Sequence, residues 1–418
     1  MIKNRSFINV FVFALMSFVL PTYRVLAQQP PTPIQIESLT NPSKHAWDLF
    51  LGLSHPATDP KQGRGLPDFN KKIGEPGQTV WESWRQAKDE VFRSDGKDPG
   101  EWDAKTPEIF KSFDLPKPVL IKALSLGLSI NKAADDLTAQ DFLRLTAVDP
   151  NDAGVFDPAN LTGGGETRMN KSTFEFIRAN QLYNVEGQEQ LYLDVTSGKK
   201  PPLDFPVDSI EVKAMWKLFT QKEIDDKKPA HFHTSTDKEG KLYGLLALHI
   251  ITKDVPNWFW CSFRQKEERT PLVPSVDSFH RPSQLTGTKW EFYELSGTQT
   301  DFVDSMGRAT LLSDPHVENG FERSSCITCH SYAGIGAPSK APRGDRPDIF
   351  FTQSTNPEIP QRDADSPFAQ IGIPDSSIFV GKRIPTKEGD AQNVRRAQRY
   401  IQLDFLFSLH IRAKRIQP

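Results

Sequence analysis

Cys326-Ile327-Thr328-Cys329-His330 concentrates more chemistry than any other stretch of the chain. Two thiols separated by two residues, with an imidazole directly after the second, form the Cys-x-x-Cys-His attachment signature of a c-type haem. In that chemistry the thiols add to the two vinyl groups of the porphyrin. The adjoining histidine then reaches the iron as its proximal axial ligand. The motif predicts one covalent haem c, held by Cys326 and Cys329 and ligated by His330.

Other chemistries use part of this pattern. A thioredoxin-type dithiol also reads Cys-x-x-Cys, but it opens a helix after the strand of a βαβ unit. Here Glu318 to Ser325 reads as a short helical lead-in, and Ser331 to Pro338 as a Gly/Pro loop. A structural zinc site needs four nitrogen or sulfur ligands. The only other cysteine is Cys261, so zinc would have to recruit distant histidines. Cys261 itself lies in Trp258-Phe259-Trp260-Cys261-Ser262-Phe263 and reads as a small buried hydrophobe.

The second axial position of the iron decides what a haem does. Electron carriers fill it with Met or His, whereas catalysts and gas binders leave it open or weakly held. No methionine follows Met306. The leading distal candidate is His249, a polar residue inside Leu246-Ala247-Leu248-His249-Ile250; the competing reading is a core histidine bonded to backbone. Met306, beside Gly307 in an expected turn, is the runner-up. His316 reads as a surface loop residue and His410 as an exposed or helix-terminal cation. His231 and His233 alternate on an expected edge strand. On the proximal side His330 needs a carbonyl for its other ring N–H, and Pro338 and Pro342 are the local suppliers. Arg343 and Arg346 read either as partners of the haem propionates or, preferentially, as part of a solvated turn.

No other catalytic constellation is present. There is no Gly-x-Ser-x-Gly, no His-Glu-x-x-His and no dinucleotide-binding loop. Gly163-Gly164-Gly165 lacks the Lys-Ser/Thr of a phosphate loop and reads as a flexible turn. The 51 basic and 53 acidic residues nearly cancel, which speaks against nucleic acid or an anionic membrane as partner.

The N-terminus reads as an export signal. Lys3 and Arg5 precede an apolar run from Phe7 to Leu20, and Val25-Leu26-Ala27 resembles a cleavage site. The run is short for a membrane span. The expectation is a periplasmic or otherwise exported protein, cleaved near Ala27, with no stable membrane span afterwards. Three cysteines exclude a disulfide scaffold, and 33 prolines predict many short elements joined by loops.

Helical spacing appears from His45, with Trp47, Phe50 and Leu51 on one face. Thr79 to Glu82 reads as a capping box opening a helix through Val80, Trp81, Trp84, Ala87 and Val91. Further helices are predicted over 136–145 and over Asn170 to Tyr183, the latter with a capping box at Ser172 to Glu175. Ser209 to Phe219 alternates as a strand. His231 to Thr236 and Leu242 to Thr252 read as the arms of a hairpin turning at Asp237 to Gly240, and the second arm is nearly all apolar and therefore central. Trp258 to Phe263 and Lys289 to Leu295 add strands. A short helix is predicted around Val317 to Arg323 and a long one from Asp390 to Ile411. The fold class is α+β: a helical N-terminal part, a central antiparallel β-sheet, and a loop-rich C-terminal cytochrome c-like haem segment closed by a long helix. The regions are 1–27 signal peptide, 28–204 mainly helical, 205–305 antiparallel β, and 306–418 haem c-binding.

The chain resembles exported bacterial c-type cytochrome family proteins of a monohaem, large-chain group. The carrying stretches are Ala46-Trp47-Asp48-Leu49-Phe50, Val80-Trp81-Glu82-Ser83-Trp84, Gly244 to Ile250, Trp258 to Phe263 and Ser324 to His330. The resemblance implies one architecture around a single haem, bound by Cys326, Cys329 and His330, and names no substrate. The expected function is single-electron transfer with a redox partner protein. The alternative is a haem enzyme or a gas or redox sensor with an open distal site.

Overall fold

The computed structural model describes residues 33–104, 164–237, 239–268, 279–314, 316, 325–347, 372–374, 379–385 and 394–418. The expected signal peptide and the helices expected over 136–145 and 317–323 lie outside them. The described chain is a mixture of helix and antiparallel sheet.

Two helices come first, α1 (Pro33–Thr40) and α2 (Pro42–Ser54). As the spacing predicts, Trp47 and Phe50 of α2 are buried. The first strand, β1 (Arg85–Gln86), pairs with β2 (Gly164–Met169). Helices α3 (Lys171–Ala179) and α4 (Val185–Thr196) follow, then β3 (Ile210–Leu218) and α5 (Gln221–Asp225). Strands β4 (Thr234–Thr236), β5 (Leu242–Thr252), β6 (Phe259–Gln265) and β7 (Tyr293–Gln299) complete the main sheet. Its order is β1-β2-β3-β5-β6-β7, with β4 beside the start of β5.

β5 is central, as its apolar run predicts, and carries β3 on one side and β6 on the other. Both faces of the sheet are covered. On one face Phe263 meets Trp47 and Phe50 of α2, with ring centroids 4.9 and 4.3 Å apart. Val212, Ala214, Leu248, Ile250 and Cys261 belong to the same core. Cys261 is the buried small residue expected, donating its thiol to Ile250 O. The opposite face carries polar residues: Glu211 and Lys213 of β3, His249 of β5, Trp260 and Ser262 of β6. The ladder pairs Lys213 with His249 and His249 with Ser262, which fixes them on one side.

The C-terminal part reaches that face through His330, which meets Trp260, and Ser408, which bonds Glu211. It comprises α6 (Cys326–Ser331), β8 (Gly334–Gly336), β9 (Val380–Pro385), β10 (Val394–Gln398), β11 (Tyr400–Gln402) and α7 (Phe407–Arg412). β8 pairs with β11, and β9 with β10.

Several expectations fail for identifiable reasons. The helix expected after Thr79 is a 3-10 turn at Trp81–Ser83, then β1, then an irregular turn with Asp89 at φ 66°. Glu82 does accept from Thr79 N and Oγ1. Trp81, Trp84, Ala87 and Val91 are all buried, yet by surrounding elements rather than along a helical stripe. Within the region 28–204, expected to be mainly helical, β1 and β2 extend the sheet. Gly164 and Gly165 are strand, not turn. The helix at Lys171 is capped by Asn170, whose side chain accepts from Thr173 N, and not by a box at Ser172. Lys289–Phe292 is a 3-10 turn leading into β7.

Among the described residues, which here begin at 394, the long closing helix is absent. Its sequence forms β10, β11 and the short α7, divided by Asp404 and Phe405 at φ 46° and 64°. Tyr400–Gln402 send their backbone bonds to Gly334–Gly336 instead of along a helix. Ile401, Leu403 and Leu409 are still buried, so the apolar spacing was real while the period it suggested was not. Gly334 is required at this pairing: a Cβ there would meet Ile401 O at 3.0 Å and Pro347 Cγ at 2.9 Å.

Candidate functional site

The Cys-x-x-Cys-His stretch folds as α6, one and a half turns of helix. Ser325 caps it, accepting from Thr328 N. Gln299, the last residue of β7, holds the cap in place. Its Nε2 donates to Ser325 Oγ at 2.7 Å and its Oε1 accepts from Ile327 N at 3.1 Å. Gln299 is also the ladder partner of Trp260. The end of the sheet thus fixes where α6 begins.

Cys326 and Cys329 are i and i+3 on this helix and share a face. Neither is in a disulfide. Cys326 is buried and donates to Leu312 O at 2.9 Å, while Cys329 is half-buried. His330 is half-buried too, and its Nδ1 bonds the carbonyl of Phe405 at 2.8 Å. A carbonyl only accepts, so Nδ1 carries the proton and Nε2 the lone pair. This is the tautomer that an axial ligand needs, with the second nitrogen hydrogen-bonded to backbone. The carbonyl comes from Phe405 and not from Pro338 or Pro342. Trp260 packs edge-on against His330 with centroids 4.6 Å apart, and Phe407 flanks the ring at 5.3 Å. Burial lowers the His330 imidazole to a pKa of about 4, with Lys213 adding to the effect against the Phe405 bond. It is therefore neutral at neutral pH, as a metal-ligating imidazole must be.

The donor set a haem c would draw on is two cysteine side chains on one helical face and an imidazole fixed through Nδ1. Cys326 and Cys329 would hold the macrocycle, and His330 Nε2 would take the iron.

His249 lies on the sheet face that α6 and α7 cover. Burial holds its imidazole well below its ordinary value, and Lys213 and His330 add to the effect. Lys213 thus acts on both histidines, which places the three residues in one neighbourhood. Met306 sits on the Asp304–Arg308 turn and is 68% exposed, with nothing directing its sulfur inward.

The remaining histidines differ from expectation. His410 is buried, and its Nδ1 accepts from Gly334 N; burial first and Arg346 second lower it to about 3. It is a neutral structural residue and not a helix-terminal cation. His316 bonds Glu268 O through Nε2. His231 and His233 do not share an exposed strand face. His231 ends a 3-10 turn and pairs with Glu267, whereas His233 is buried against Trp290 and bonded to Glu82. Arg343 and Arg346 do not form a solvated turn either. Arg343 is buried, and Arg346 donates to Arg343 O, Gln188 and Gly334 O. Burial lowers Arg346 to about 9, with Arg343 adding to the shift.

Sequence reasoning missed Glu211, whose signal was a carboxylate alternating with apolar residues in a strand. It is buried, bonded to Ser408 of α7 at 2.6 Å, and raised by that burial to about 7.

Among the described residues no group of three or more His, Cys, Asp or Glu side chains converges to hold a bare metal ion, and no helix is long and apolar enough to cross a membrane. Compared with known proteins, the chain matches no family model, no curated relative and no solved structure.

Proposed function

We propose that this protein is an exported monohaem c-type cytochrome that passes single electrons to and from a redox partner protein. In this reading Cys326 and Cys329 carry the thioether bonds and His330 is the proximal ligand. The observation that carries it is the His330 Nδ1 bond to Phe405 O, made beside Cys326 and Cys329 on the same short helix. A backbone carbonyl that fixes the imidazole tautomer in this way is what an axial ligand uses. When bound, haem supplies a one-electron couple. The chain supplies its attachment, the orientation of His330 and a packed surround of Trp260, Phe405 and Phe407. Export is part of the proposal, because the basic and apolar N-terminal residues read as a signal peptide. In this reading the haem-binding region is 306–418, whose helices α6 and α7 meet the polar face of the sheet through His330 and Ser408.

Expression of the full chain in a host that attaches c-type haem tests this. Mass spectrometry should show one covalent haem on the purified protein and none on Cys329→Ala. An apo mass for the native chain under those conditions would refute the proposal.

A further inference from the structure

The carbonyl that meets His330 belongs to a backbone the chain does not adopt willingly. Asp404 and Phe405 are consecutive non-glycine residues in the left-handed region, at φ 46° and 64°. Such backbone persists only where its surroundings over-determine it. Here the Asp404 carboxylate does so, through three bonds. Its Oδ2 accepts from Phe205 N at 2.7 Å; its Oδ1 accepts from Lys253 Nζ at 2.7 Å and from Trp258 Nε1 at 3.3 Å. Both side chains of the Lys253–Asp404 pair are 6% exposed. Lys253 directly follows β5 and is held by a backbone bond to Ser209 O and by its ammonium on Pro256 O. The central strand therefore reaches the turn through a buried charge pair, and the turn points its carbonyl at His330.

We propose that Asp404 and Lys253 are positioning residues for His330, their ion pair holding the turn that aims the Phe405 carbonyl and so setting how basic the proximal imidazole is. This rests on the haem reading above. A firm Nδ1–H bond to a carbonyl raises the basicity of a ligating histidine and favours the more oxidised metal. Loosening the turn lengthens that bond, which makes His330 a weaker donor and the iron easier to reduce.

The test uses full-length native protein, Asp404→Ala, Lys253→Met and Asp404→Asn, all matured with haem. The readouts are covalent haem by mass, midpoint potential by spectroelectrochemical titration, and urea stability. Asp404→Ala and Lys253→Met should shift the potential positive. Asp404→Asn should lie nearer the native value, because asparagine keeps an acceptor for Phe205 N and tolerates left-handed backbone. A native potential in haem-loaded Asp404→Ala or Lys253→Met, even with stability lost, would overturn the inference, since it would show a merely structural pair. If Asp404→Ala does not fold, Lys253→Met decides alone. Absence of covalent haem from the native chain would instead overturn the underlying reading, and the inference with it.

Discussion

The imidazole of His330 and the indole of Trp260 meet edge to face, with ring centroids 4.6 Å apart at an interplanar angle of 67°. Trp260 is 2% exposed, and its Nε1 donates to Asn257 O. It is thus a fixed wall for the ring. Trp260→Ala should cost about 3–5 kcal/mol in urea unfolding, the usual range for emptying a buried aromatic site. Trp260→Phe keeps a ring edge and loses one hydrogen bond, so about 1 kcal/mol is expected. A stability equal to native for the alanine variant would contradict the packing described.

His249 shares the neighbourhood of Lys213 and His330 and is neutral there. If it is the distal ligand, the native ferric protein is low-spin and does not take up carbon monoxide on reduction. His249→Ala should then become high-spin and bind carbon monoxide, as followed by visible and EPR spectra. An unaltered spectrum in His249→Ala removes it as a ligand. A native protein that is already high-spin favours the enzyme or sensor alternative.

Glu211 gives a pH prediction. Its folded-state pKa of about 7 lies above the ordinary glutamate value because burial disfavours the anion, opposed by the Ser408 bond, Arg412 and Lys213. Its contribution to stability is therefore complete below the unfolded pKa and falls as the pH rises through about 7. The loss amounts to about 3 kcal/mol between acid and alkaline conditions. Glu211→Gln cannot ionise and should be the more stable protein at pH 8, with the gap closing near pH 4.5. Denaturant titrations of both proteins at the two pH values measure this.

Ser325 and Gln299 anchor the start of α6. Ser325→Ala removes an N-cap and should cost about 1 kcal/mol. Gln299→Ala leaves Ile327 N without its acceptor and should cost about 1–3 kcal/mol. Both variants should also lower the fraction of chain carrying covalent haem, read by mass, because the thiols are presented by the helix they start.

Phe50 provides a control on the opposite face of the sheet. It is fully buried between Trp47, Phe263 and Trp290. Phe50→Ala should cost about 3–5 kcal/mol while leaving the visible spectrum of the folded protein unchanged.

The residues that carry the proposed chemistry were legible in the sequence because their signature is local. Cys326, Cys329 and His330 are within five positions, and a single helical turn is enough to bring them together. The central strand was legible for a similar reason: Leu242 to Thr252 is nearly all apolar, the pattern of a strand covered on both faces. The segment after Asp390 was not legible. Ile401, Phe405 and Leu409 are spaced as on a helix, but the pairing of Tyr400–Gln402 with Gly334–Gly336 and the ion pair from Lys253 to Asp404 lie 66 and 151 positions away in sequence. Local periodicity cannot report contacts made at that distance. The sequence by itself determined the Cys-x-x-Cys-His signature on which the haem proposal rests. Only the tertiary structure decided that Phe405, and no local proline, supplies the carbonyl for His330, since the two residues lie 75 positions apart in sequence.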